Sequence, residues 1–257
     1  MKDVRFLLNQ ILFHLRLNRK YFFKLFFCAF LIIWVGWNYL GVRNFTYKRL
    51  YGKPTGQVLT IWDKEQILDY DEPLQNAVFN GYPVTKSFKK KYALSGILVY
   101  HDDNTTFWKK HFWNSGDEIG KTYNKIASHD LTIVWGKTAS PDNLKKIKVG
   151  HELNLALLEC TTCNCYFGIG DFNNFHIIPA NERLNDALSV LPRSKKVPIY
   201  VEGYLTDWYG TGDYQDLKMD TALDARTTSR QKAGGGKTGL CYQLYLTKFI
   251  YDGYTFE

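Results

Sequence analysis

The sequence predicts an α+β fold, mainly β, in which an N-terminal transmembrane helix precedes one small strand-rich domain. Three observations predict it. Residues 25–42, LFFCAFLIIWVGWNYLGV, contain no charge and a single amide, Asn38. Aromatic residues make up 16% of the chain, and such side chains suit the pleated, half-buried surface of a sheet. From residue 93 onward, apolar runs of strand length alternate with polar turns.

Residues 1–20 form a basic amphipathic segment. Val4, Leu7, Leu8, Ile11, Leu12 and Leu15 fall at helical spacing, with Arg5, Arg16 and Arg19 among or opposite them. A helix of this kind lies in the headgroup region on the cytoplasmic side. Residues 21–42 follow as the anchor. Eighteen uncharged residues rise about 27 Å, close to the hydrocarbon thickness of a bilayer. Trp34, Trp37 and Tyr39 sit toward the end where amphipathic rings favour the lipid boundary. No A-x-A signal follows, so the segment reads as an uncleaved anchor. Six Lys/Arg residues precede the apolar run against Arg43, Lys48, Arg49 and Lys53 after it. That bias puts the N-terminus in the cytoplasm and the large domain in the periplasm, with the chain crossing the inner membrane once.

The same split governs the net charge of +8. Residues 1–24 carry six positive charges against Asp3, a net of +5, which leaves 8 − 5 = +3 for the other 233 residues. The basicity belongs mainly to the anchor, where it meets anionic lipid. The near-neutral remainder disfavours nucleic acid as a partner.

Residues 43–92 are punctuated by Gly52, Pro54, Gly56, Pro73, Gly81 and Pro83, and read as a linker packed on the domain. Within it, 58–62 suggests a short strand, 71–81 a short helix ending at Gly81, and FKKKY (88–92) a solvated edge. Residues 93–257 form the extracytoplasmic β-rich domain. Strands are expected at 93–102, 129–136, 152–160, 197–208 and 240–251. A helix is expected at 115–128, with Ser115 and Glu118 at capping-box spacing, and another at 181–191, ended by Pro192. The resulting order, three strands, a helix and two strands, matches a five-stranded, partly open barrel of the OB type. Residues 209–239 would then form a long insertion between the last two strands.

Few motifs carry chemistry. AGGGKTG (233–239) supplies Gly236, Lys237 and Thr238 of a phosphate loop, but Gln231 stands where the first glycine is required, and a strand follows in place of a helix. No cofactor is expected. CTTCNC (160–165) with Cys241 leaves disulfides, a zinc site and free thiols open. Cys165 with Cys241 is the favoured disulfide, Cys241 falling in the last predicted strand; Cys28 lies in the span. No metal site is assigned. Asn173, Asn174 and His176 precede a helix within NNFHIIPAN (173–181), which reads as a turn with His176 packed beneath it. A functional reading makes His176 a general base. No catalytic residue is assigned, because no carboxylate or nucleophile stands at recognisable spacing. Trp208 and Tyr209 of DWYGTGDY (207–214) form a candidate contact patch with those three residues, since aromatics enrich interface cores.

HDLTIVWG (129–136), NNFHIIPANERL (173–184), VEGYLTDW (201–208), Ser229, Arg230 and GLCY (239–242) together resemble an uncharacterised family of bacterial membrane-anchored proteins with one extracytoplasmic domain. The matching positions are Trp135, Gly136, Cys165, Tyr166, Asn173, Asn174, His176, Pro179, Gly203, Tyr204, Leu205 and Cys241. Phe175 separates the Asn pair from His176, and Tyr242 stands where the pattern has an acidic residue. The resemblance implies an envelope location and a paired Cys165–Cys241, and no named activity.

The expected function is therefore that of a membrane-anchored envelope protein whose outer domain serves protein–protein interaction or assembly of a complex. Its partners would be membrane lipid, through the anchor, and other envelope proteins, with room for self-association. An envelope enzyme using His176 is one alternative. Binding of single-stranded nucleic acid by an OB-type barrel is another.

Overall fold

The computed structural model describes residues 19–39, 42–104, 118–152, 155–161, 165–167, 170–214, 218–219, 237–238 and 240–257. Residues 1–18 of the expected amphipathic segment 1–20, the Ser115 cap and most of the 209–239 insertion lie outside the described residues. The chain divides into two units, Met1–Thr46 and Tyr47–Glu257.

The first unit is built on helix α1, Arg19–Tyr39. Phe23, Phe26, Phe27, Phe30, Leu31, Ile32, Ile33 and Trp34 are all exposed on it. Its uncharged part, residues 25–39, rises about 22 Å, short of the roughly 30 Å of bilayer hydrocarbon. Among the described residues no helix is long and apolar enough to cross a membrane. Helix α2, Val42–Tyr51, follows.

The second unit is mixed α and β, mainly β. Its long strands are β4 (Tyr82–Asp103), β5 (His129–Val134), β8 (Phe172–Pro179), β9 (Val197–Gly210) and β12 (Leu240–Tyr251). β4 pairs antiparallel with β5 and with β9, and β5 with β8. β12 runs parallel to β8, from Leu240↔Asn173 to Leu246↔Pro179. It also runs antiparallel to β9, from Leu244↔Leu205 to Tyr251↔Ile199, with an irregularity between Leu246 and Lys248. Each of the five strands thus has two of the others as neighbours, and the pairings close into a cycle. Helix α5 (Glu182–Leu188), which follows the single-turn helix α4 (Pro141–Leu144), lies between the third and fourth of them. Asn181 caps it, its side-chain oxygen accepting from the Leu184 amide at 2.8 Å.

Side chains alternate along each strand. Leu131, Ile133, Phe175, Ile177, Val201, Leu205, Leu244 and Leu246 turn to one side and form the main core with Leu184 and Leu188 of α5. Where β9 and β12 cross, a Cβ on Gly203 would lie 2.1 Å from the Tyr245 carbonyl oxygen. Only glycine permits that approach.

Several expectations give way here. Residues 43–92 are not a linker free of long elements. Strands β2 (Gln66–Asp69) and β3 (Gln75–Phe79) both lie against the first half of β4, which begins at Tyr82. The segment expected as a helix over 71–81 is therefore a hairpin arm. Asn80 (φ 49) and Gly81 (φ 85) turn it, the Asn-Gly pair of a two-residue hairpin loop. FKKKY is interior to β4. Phe88 and Tyr92 are buried, while Lys86, Lys89 and Lys90 reach out to Glu72, Asp71 and Asp69. Residues 58–62 belong to no strand, although Trp62 donates its amide to the Ser95 carbonyl at 2.9 Å.

The third strand of the cycle is β8, not 152–160. The latter contains β7 (Leu155–Cys160), which pairs with β6 (Ile147–Glu152) and with β11 (Lys237–Thr238) in a separate three-stranded sheet. Ile147 and Leu158 of that sheet pack on Ile97, Val99, Val134 and Phe172, covering the outer face of β4, β5 and β8 at one end. Helix α3 (Glu118–Ile126) covers it at the other end, where Tyr123 and Ile126 meet Phe79, Val84, Ile178 and Trp208.

Candidate functional site

Between these two outer apolar clusters runs a seam of buried polar side chains. Residues 130 and 132 of β5 and residues 174 and 176 of β8 share one face by strand alternation, and the register sets Asp130 opposite His176 and Thr132 opposite Asn174. His176 Nδ1 lies 2.5 Å from Asp130 Oδ1. The second carboxylate oxygen of Asp130 accepts from the Asn104 amide at 3.2 Å. Thr132 donates to Asn174 Oδ1 at 3.2 Å. Asp130 and Asn174 are 2% and 0% exposed and His176 4%, so desolvation makes every one of these bonds necessary.

Aromatic residues continue the seam. The Tyr123 ring meets His176 edge-on at 5.6 Å and stacks on Trp208 at 6.0 Å. Gln243 bridges the two, accepting from Trp208 Nε1 at 3.4 Å and donating to the Tyr123 hydroxyl at 3.2 Å. A carboxylate holding one imidazole nitrogen fixes the ring's tautomer and supports a proton at Nδ1, which suits the other nitrogen to proton transfer or hydrogen bonding.

A second histidine pair lies on the core side of the sheet. His101 Nε2 is 3.0 Å from His129 Nδ1, and His101 Nδ1 is 3.1 Å from the Leu191 carbonyl. Leu191 can only accept, so His101 donates there, and in the neutral pair His129 Nδ1 donates to His101 Nε2. Among the described residues His129 Nε2 makes no hydrogen bond of ordinary geometry, although Asn185 lies close enough to favour its charged form. Burial, reinforced by the His129 neighbour, pushes His101 down to about 4. Burial also lowers His129, against the pull of Asp103. At the edge of the main core, Glu65 accepts from the Tyr92 hydroxyl at 2.7 Å and from Tyr242 at 3.4 Å. Burial raises its carboxyl and the two hydroxyls partly oppose the rise.

The structure brings Asn174, His176 and Trp208 into the seam, while Asn173 turns to the other face and its side chain accepts from the Asn174 amide at 2.9 Å. His176 sits on a strand rather than beneath a turn. Asn and Pro suggested a turn, but their polar groups are satisfied within the sheet. Trp208 is fully buried and cannot form an exposed patch, because its alternation places it under α3; Tyr209 beside it is half-buried. Cys165 pairs with Cys160, not with Cys241, at a Cα separation of 5.8 Å. The five-residue spacing lets the chain fold back on itself, and Cys165 belongs to no strand. Sequence reasoning missed Asp130, Asn104, Tyr123 and Gln243. Strict alternation in HDLTIVW does carry a signal for Asp130, since it puts Asp130 and Thr132 on the face away from Leu131 and Ile133. Among the described residues no group of three or more His, Cys, Asp and Glu side chains is gathered as a metal site requires. Comparison with protein-family models, with curated proteins and with solved structures finds no match to this chain.

Proposed function

We propose that this chain is a single-pass membrane-anchored envelope protein whose folded unit is an OB-type β-barrel that docks other envelope proteins. The observation that carries the reading is α1, which exposes eight large apolar side chains between Phe23 and Trp34. A helix apolar on all sides belongs in lipid or in a protein interior. The uncharged run of the sequence extends to residue 42, beyond the described end of the helix, and Lys24 can snorkel to the boundary. The Cys160–Cys165 disulfide suits an oxidising compartment such as the periplasm. The barrel assignment rests on the cycle β4–β5–β8–β12–β9 with parallel β8 and β12 and a helix after the third strand. A docking role rests on the long connections between those strands, the usual seats of recognition on a rigid scaffold.

Alkaline phosphatase and a cytosol-only fluorescent protein, each fused after Glu257, test the topology. Phosphatase activity with a dark fluorescent fusion, and retention in carbonate-washed membranes, are expected. A bright cytosolic fusion, or release by carbonate, removes the reading.

The Asp130–His176 pair supports a second reading, an envelope enzyme that uses His176 as a proton-transfer group. His176→Asn in cells lacking the wild-type gene separates the two. Retained membrane level with loss of the cellular phenotype favours the enzyme, and an intact phenotype excludes it.

A further inference from the structure

A cleft of about 470 Å³ opens between the β3–β4 turn, the C-terminal end of α3, the end of β8 and the start of α5. Its volume lies within the ~300–1,000 Å³ of small-molecule sites. Its chemistry is unlike that of an apolar pocket. Asn80, Asn181 and Asn185 line it with Lys125, Glu182 and the half-buried Tyr245.

Each asparagine is held at one end by the protein. Asn80 Nδ2 donates to the Lys125 and Ile126 carbonyls, both at 3.0 Å, which leaves Oδ1 as an acceptor. Asn181 Oδ1 is committed to the Leu184 amide, and Asn185 Oδ1 accepts from Ser128 at 2.6 Å. Both of these leave an Nδ2 group with two donors. The amides are therefore oriented before any ligand arrives, which lowers the ordering cost of binding.

Ligand classes can be separated on charge and polarity. One ammonium balanced by one carboxylate does not make a phosphate site. A single carboxylate without His or Cys does not hold a metal. Val78, Pro179 and Ala180 supply the smaller, apolar share of a lining that is mainly amide, ionic and hydroxyl, too little for a greasy ligand. An uncharged polyhydroxylated molecule meets all the requirements. Its hydroxyls both donate and accept, which matches amides that present one acceptor and two donor groups. We infer that this cleft is a saccharide-binding site, formed by Asn80, Asn181 and Asn185 with Lys125, Glu182 and Tyr245.

The inference goes beyond the docking role and does not depend on where α1 resides. The full chain, purified in a detergent without a sugar headgroup, is titrated calorimetrically with maltotriose, cellotriose and chitotriose. It is also sedimented with insoluble peptidoglycan, to separate a free-oligosaccharide ligand from a polymeric one. Two variants accompany it: Lys125→Ala/Glu182→Gln, which removes polar partners, and Val78→Trp, which fills the cleft from a position 67% exposed and so spares the core. Binding of at least one probe is expected, weakened about tenfold or more in both variants, with melting temperatures unchanged. Binding of no probe, or equal binding by wild type and Val78→Trp, overturns the assignment.

Discussion

His176 and Asp130 face each other across paired strands with a nitrogen–oxygen distance of 2.5 Å, and both are almost wholly removed from solvent. Their strands are also joined by the Thr132–Asn174 bond, so the pair sits inside the sheet's most polar register. Removing one member of a buried pair takes from the other its main charge partner, at a cost of about 3–5 kcal/mol. Asp130→Ala should lower the unfolding free energy by that amount in urea titrations of the full chain in detergent. Simultaneous replacement, Asp130→Leu with His176→Leu, should cost less than Asp130→Ala alone. A double variant less stable than the single one would show that the pair contributes net stability.

The two buried core-side histidines predict acid sensitivity. Their folded-state values lie below the ordinary 6.5, His101 at about 4, so both are neutral in the fold. A group depressed on folding contributes stability that is complete above its unfolded value and lost as pH falls below it. For His101 the loss between pH 6.5 and 4 is roughly 3 kcal/mol. The melting temperature should fall steadily through that window, and His101→Gln should flatten the fall. A wild-type curve level from pH 7 to 4.5 contradicts the arrangement.

Glu65 acts with the opposite sign. Its carboxyl is raised on folding, so protonation at low pH favours the folded state and partly offsets the histidines. Glu65→Gln keeps an acceptor for one tyrosine and removes a partly buried charge, and should change stability little at pH 7. Glu65→Leu strands both hydroxyls and should cost about 1–3 kcal/mol. Equal stabilities for the two variants would show that the tyrosines do not need Glu65.

Gly203→Ala places a methyl group on the Tyr245 carbonyl. The strands must separate locally, at a cost on the order of 3 kcal/mol. The expected signature is faster amide exchange at residues 203–205 and 244–246, with exchange on β5 unchanged. Uniform exchange across both regions would count against a closure that depends on this glycine.

Peptide mapping without reductant should recover Cys160 linked to Cys165. Their short loop contributes roughly 2 kcal/mol by chain-entropy reasoning, so Cys165→Ser should lower stability by about that much in oxidised protein and not in reduced protein. A linkage from Cys165 to Cys241 would revise the path of the chain after β7.

The strands that the sequence announced are those with apolar residues on alternate positions and a clear stop. HDLTIVWG ends at Gly136, and VPIYVEGYLTDW and LCYQLYLTKFIY alternate throughout. β8 was illegible because its outward positions hold Asn174 and His176, whose partners come from a strand forty residues away. Such polar residues look like a turn until Thr132 and Asp130 are placed beside them. Lys89 and Lys90 of FKKKY misled in the same way, since their carboxylate partners, Asp71 and Asp69, lie on the preceding segment. Trp208 was misplaced because nothing local reports that α3 lies above it. The apolar runs did announce β5, β9, β12 and the second half of β4, and the leucine spacing announced helix α5.

The entry into the folded unit is fastened to its far end. Strand β1 (Lys53–Pro54) pairs with β13 (Tyr254–Phe256), Lys48 and Lys53 bridge to Asp252 and Glu257, and the Tyr51 hydroxyl donates to Asp186 at 3.1 Å. Tension arriving along the chain at residue 47 would therefore be borne in shear by the carboxy-terminal strand before reaching the interior. The last four residues act as a clasp, and trimming them would let a mechanical load peel the first turns of the unit one hydrogen bond at a time.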